Sequence, residues 1–80
     1  MWFKMVTSPG WFRREENGVR YYTTESQRVY ITGKGRYSKY NDIPYNIYMV
    51  RDHPWPSPAD QWVCGAGSVQ VAIRSANRLL

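Results

Sequence analysis

Asn17-Gly18 constrains this chain more than any other pair of residues. It stands between two runs, WFRREE and VRYYTT, that are rich in aromatic, β-branched and long polar side chains. A type I′ turn needs positive φ at both central residues, which Asn and Gly tolerate best, and it matches the twist of two antiparallel strands. A two-residue loop here sets Glu16 opposite Val19, Glu15 opposite Arg20, Arg14 opposite Tyr21, and Phe12 opposite Thr23. Opposed residues share a side of the sheet. One face then carries Phe12, Arg14, Val19, Tyr21 and Thr23. The other carries Trp11, Arg13, Glu15, Arg20, Tyr22 and Thr24.

The next strand, VYIT, has two registers open to it. A two-residue loop at Ser26-Gln27 puts Val29 and Ile31 beside Tyr22 and Thr24. A three-residue loop, Glu25-Ser26-Gln27, puts them beside Tyr21 and Thr23. A slip of one residue moves a whole strand to the other face, so burial is the criterion. The three-residue loop gathers Phe12, Val19, Tyr21, Val29 and Ile31 on one side, and that register is expected. The opposite side is then expected to stay open, showing Trp11, Arg13, Arg20, Tyr22, Arg28, Tyr30 and Thr32. Rings alternate there with guanidinium groups, as on surfaces that stack bases and meet phosphates. The same residue types are also ordinary on a half-solvated strand, where arginine stems lie along rings without any ligand.

Around this meander, MWFKMV at residues 1–6 alternates but is apolar on both faces, which suits a central strand or one covered on both sides. Thr7-Ser8-Pro9-Gly10 reads as a turn. Residues 33–46 form a long connection in which Lys34, Arg36 and Lys39 interleave with Tyr37 and Tyr40. Tyr45, Ile47 and Met49 share one face of a further strand; Asn46, Tyr48 and Val50 share the other. Three prolines at alternate positions in DHPWPSP exclude a regular element and favour extended backbone. Trp55 between two of them reads as a plug at the edge of the core. Ser57-Pro58-Ala59-Asp60 has the residues of a helix start. From Ser68 onward Val69, Ala72, Ile73, Ala76, Leu79 and Leu80 recur at helical spacing, with Arg74 and Arg78 away from the stripe. The expected fold is α+β and a single domain over residues 1–80. It has a mainly antiparallel sheet of four or five strands, with the meander at 11–33 and a C-terminal helix on one face.

Composition sharpens the functional classes. Eighty residues bury a limited core, yet the chain holds four Trp, seven Tyr and two Phe. Rings in excess of what the core needs point to a contact site. Net charge is +5, with eight Arg and three Lys against six acids, which favours an anionic partner. One cysteine, Cys64, excludes an intrachain disulfide and a multi-cysteine metal site; one His and one Cys do not make a closed zinc site. No cofactor motif is present: Gly-Lys-Gly-Arg lacks the spacing of a phosphate-binding loop, and Gly65-Ala66-Gly67 lacks the third glycine of a dinucleotide fingerprint. MWFKMV is too short for a signal segment or a membrane span, so a cytoplasmic protein without membrane contact is expected.

The expected function is that of a small basic, non-catalytic protein contacting nucleic acid through the aromatic and arginine face. Arg13, Arg20 and Arg28 would neutralise phosphates, Trp11, Tyr22 and Tyr30 would stack on bases, and Lys34, Arg36 and Lys39 would extend the contact. The alternative is a protein-interaction module meeting an acidic surface, such as a virus- or phage-encoded inhibitor of a host protein, because exposed Trp, Tyr and Arg also make interface hot spots. A third reading is a small ribonuclease-like toxin using His53, Arg51 and nearby tyrosines. His53 beside Pro54 is otherwise a solvated loop residue, and Cys64 a small buried one.

Overall fold

The structure, a computed structural model, describes residues 2–5, 10–33 and 43–80. Six strands, β1 (Trp2–Met5), β2 (Trp11–Glu16), β3 (Val19–Thr24), β4 (Val29–Thr32), β5 (Tyr45–Met49) and β6 (Gln61–Ala66), precede a helix, α1 (Val69–Asn77). The strands lie side by side in chain order, each antiparallel to its neighbours. The meander with its C-terminal helix is thus as expected, and β1 is an edge strand rather than a central one. Residues 6–9 and 34–42 lie outside the described residues, and with them the turn expected before Gly10.

The β2–β3 hairpin has the register that Asn17-Gly18 implies, from Trp11 opposite Thr24 to Glu16 opposite Val19. Asn17 and Gly18 take φ of 54° and 78°, the positive values a type I′ turn requires. The β3–β4 register differs from expectation by one residue: Tyr22 faces Ile31 and Thr23 faces Tyr30. The turn closes with the Gln27 amide donating to the Thr24 carbonyl at 3.0 Å, and Gln27 itself takes a φ of 56°. The Thr23 hydroxyl donates to the Val29 carbonyl at 2.8 Å and pins this arrangement. Val29 and Ile31 therefore stand on the side of Trp11 and Tyr22, while Tyr30 and Thr32 stand on the side of Tyr21 and Thr23.

Both sides of the sheet are covered, by different means. On one side α1 packs over β4, β5 and β6 through Ala72, Ile73 and Ala76. Small residues let the helix come close to Val29, Ile31 and Ile47, and Trp11 closes the end of this core with its indole N–H donating to Asn77 Oδ1 at 3.1 Å. Ser68 caps the helix, its hydroxyl accepting from the Val71 amide at 3.3 Å, and Arg74 and Arg78 project outward. On the other side the connection between β5 and β6 crosses as a strap. It bends through residues 52–56, with cis bonds before Pro54 and Pro56, instead of running extended as its prolines suggest, and Trp55 enters a second core with Val19, Tyr21 and Tyr30. Trp55 is thus the plug the sequence suggests.

The helix start expected at Ser57 is a single turn. The Asp60 amide donates to the Ser57 carbonyl at 3.0 Å, the Ala59 amide to Ser57 Oγ at 3.2 Å, and the Ser57 amide to Asp60 Oδ2 at 2.8 Å. The chain then extends into β6 instead of continuing as a helix. Gly65 in β6 has a packing reason. A Cβ there would collide with Ile43 Cγ2, with Ile43 Cδ1 at 3.2 Å and the Tyr45 carbonyl oxygen at 3.4 Å.

Candidate binding groove

The strap side of the sheet presents two transverse rows of side chains. Antiparallel pairing aligns Phe12, Thr23, Tyr30, Tyr48 and Trp62 in one row, and Arg14, Tyr21, Thr32 and Asn46 in the next. Tyr30 is the centre of a column of rings. It stacks on Trp55 with centroids 4.7 Å apart and 14° between planes, and on Tyr48 at 5.2 Å and 16°. Tyr21 meets both Tyr30 and Trp55 edge-on, at 6.0 and 5.7 Å. The Arg14 guanidinium lies 5.0 Å from the Trp55 ring centre and pairs with Glu16 Oε1 at 2.7 Å. Trp55 also donates from its indole N–H to Gln27 Oε1 at 2.9 Å, tying the strap to the β3–β4 turn.

Beside this column the strap stands off the sheet and leaves a groove of about 690 Å³. That volume is in the range of small-ligand and peptide-side-chain pockets, roughly 300–1,000 Å³. Tyr48, Trp62 and Thr32 line it from the sheet; Pro56 and Pro58 line it from the strap; Glu16 and Asp60 also reach it. Tyr48 and Trp62 are only half buried. The Trp62 indole N–H donates to Asn46 Oδ1 at 2.8 Å, which orients the ring. Asp60 accepts from the Tyr30 hydroxyl at 2.6 Å and from the Ser57 and Arg51 amides at 2.8 and 2.9 Å. Burial first, and then the hydrogen bond to Asp60, pushes the Tyr30 hydroxyl pKa far above the ordinary tyrosine value, so it remains a donor. Thr32 is 2% exposed and lines the groove, yet its hydroxyl has no hydrogen-bond partner among the described residues.

The residues expected to form an open face are divided. Trp11, Tyr22 and Tyr30 are 1%, 5% and 2% exposed, so none of these rings is offered to a base. Trp11 and Tyr22 belong to the helix-side core and Tyr30 to the strap-side core. The expectation of an open aromatic face is corrected on two grounds: the β3–β4 slip moves Tyr30 across the sheet, and both faces are covered. Arg20 and Arg28 are exposed and Arg13 is half buried. The Tyr22 hydroxyl, by hydrogen bonding and then by charge, raises the pKa of the Arg20 guanidinium. Lys34, Arg36 and Lys39 lie outside the described residues. Cys64 packs into the helix-side core, whereas His53 is exposed on the strap, so the two do not share a site.

Tyr48 and Trp62 were missed as site residues, and Thr32 stood on the expected open face without a role. Tyr48 had a signal, since the alternation of YNIYMV already sets it apart from Tyr45 and Ile47. Trp62 was hidden by reading its segment as helix.

No helix among the described residues is long and apolar enough to cross a membrane. No three metal-ligating side chains among them come together. No family model matches the chain, nor does any curated protein or solved structure.

Proposed function

We propose that this protein is a non-catalytic binding module that takes an extended segment of a partner protein into the aromatic groove. The observation that carries this reading is the half-buried Tyr48 and Trp62 lining one groove with the strap prolines and with Thr32, whose hydroxyl has no hydrogen-bond partner among the described residues. Extended and polyproline-like peptides dock into grooves built from Tyr and Trp in this manner, because little chain entropy is lost on binding. The test is selection from a random peptide library followed by titration of the purified protein, read by NMR at the Trp62 indole N–H. Selected peptides are expected to shift that signal and to lose binding in Trp62→Ala. Peptides that bind equally well to Trp62→Ala would move the docking site elsewhere.

A second reading, nucleic-acid binding, is favoured by a separate observation. Arg13 and Arg20 lie on the helix side of the sheet, and Arg74 and Arg78 project from the helix. With a net charge of +5 this surface suits phosphates, without the base stacking that buried Trp11 and Tyr22 would have supplied. Titration with labelled single- and double-stranded oligonucleotides at several salt concentrations tests it. Binding that falls steeply with salt and disappears in Arg20→Glu/Arg74→Glu, with thermal stability nearly unchanged, supports phosphate contacts. No binding at low salt removes this reading and leaves the groove.

A further inference from the structure

Resting on the groove reading, we propose that the group the groove selects is a cation, the guanidinium or ammonium of an Arg or Lys side chain in the bound segment. The chain as a whole is basic, but the groove is not. Among the described residues one guanidinium, Arg14, lines it together with two carboxylates, Glu16 and Asp60. Arg14 is already committed, to Glu16 at 2.7 Å and to the face of Trp55. Asp60 holds three hydrogen bonds, all from uncharged donors, and makes no ion pair among the described residues. Its charge is therefore stabilised locally but not cancelled.

The remaining walls favour the same sign. The faces of Tyr and Trp rings carry negative potential and attract a guanidinium or ammonium that has left water. The Thr32 hydroxyl oxygen can accept from an N–H, and its burial without a partner among the described residues is costly until a ligand donor arrives. A phosphate or carboxylate entering the groove would face the Asp60 carboxylate and find no uncommitted cation among the described residues. A neutral proline or aliphatic residue would fill space but leave Thr32 and Asp60 as they are. A guanidinium, with five donors in a plane, suits a stacked position beside a hydroxyl and a carboxylate better than an ammonium does.

The test uses the full chain and three probes: acetyl-Pro-Pro-Arg-Pro-Pro-amide, the same peptide with citrulline in place of arginine, and free arginine amide. Citrulline keeps the shape and removes the charge. Binding is read from the Trp62 indole N–H shift. The arginine peptide is expected to bind about tenfold more tightly than the citrulline peptide. Glu16→Gln, which removes an exposed carboxylate and releases Arg14, is expected to weaken the arginine peptide severalfold and the citrulline peptide hardly at all. Equal binding of the two peptides overturns the cation and keeps the groove as a peptide site. Free arginine amide binding as tightly as the peptide keeps the cation and overturns the peptide as its source. Neither peptide moving the Trp62 signal at millimolar concentration overturns the cation and counts against the groove as well.

Discussion

The two faces of the sheet solve the same problem with opposite materials. The helix side is closed by Ala72, Ile73 and Ala76 meeting Val29, Ile31 and Ile47, with Trp11 and Tyr22 in the same core. The strap side is closed by Trp55 against Tyr21 and Tyr30, with Arg14 laid over the indole. Small and aliphatic side chains pack without direction and leave little space. Large rings pack at set angles, carry polar tips that need partners, and cannot fill every gap. The helix side is therefore closely packed where α1 lies on β4, β5 and β6, while the strap side combines a firm column of rings with a groove beside it. Rigidity and an opening arise from the same choice of residues.

The contrast breaks most directly at Trp55. Trp55→Ala removes the centre of the strap-side core and is expected to cost about 4 kcal/mol, against about 3 kcal/mol for Ile73→Ala on the helix side. Urea unfolding of both variants decides whether the strap side is core in the same sense. A loss under about 1 kcal/mol for Trp55→Ala would make the strap a solvated cover. Next in size is Gly65→Ala, expected to cost about 2 kcal/mol through overpacking against Ile43. Adding Ile43→Ala should return part of that loss, so the double variant should be more stable than the two single effects predict; simple additivity would place Ile43 away from Gly65.

The smallest effect sharpens the polar side of the comparison. Tyr30→Phe removes the hydroxyl bonded to Asp60 at 2.6 Å and should cost about 1 kcal/mol at neutral pH. Because the folded state raises the Tyr30 pKa, it holds that proton more tightly than the unfolded chain does. The corresponding stability is fully present below the unfolded value of about 10 and is lost as pH rises beyond it. Tyr30→Phe should therefore lose stability less steeply than the parent above pH 10. Parallel alkaline profiles would place the sensitivity at other groups.

What could be read from residues alone follows from how local each signal is. Asn17-Gly18 specifies its hairpin register because the turn type demands those two residues and nothing distant competes. The period-2 pattern separates Ile47 from Tyr48, and the spacing after Ser68 gives the helix. The β3–β4 register failed for a physical reason. Sorting apolar residues onto one side discriminates only when the other side is wet, and here Val29 and Tyr30 are both buried, on opposite faces. A Gln at positive φ carries no sequence signature, so the turn gave no correction. Strand β6 was obscured by Gly65, whose place depends on Ile43, twenty-two positions away in the chain. The groove needed the strap's path across the sheet, which no local pattern contains.

Strand order has a kinetic meaning as well. Each strand of this sheet lies beside the one made just before it, so the chain never waits for a distant segment to complete a pair. Ring closure between neighbours is short everywhere except across residues 33–44 and 50–60, and short closures are entropically cheap. A six-stranded sheet is ordinarily a slow object to assemble, yet this order gives low contact separation for its size. The hairpin at Asn17-Gly18 can start the sheet, and every later strand finds its template already in place.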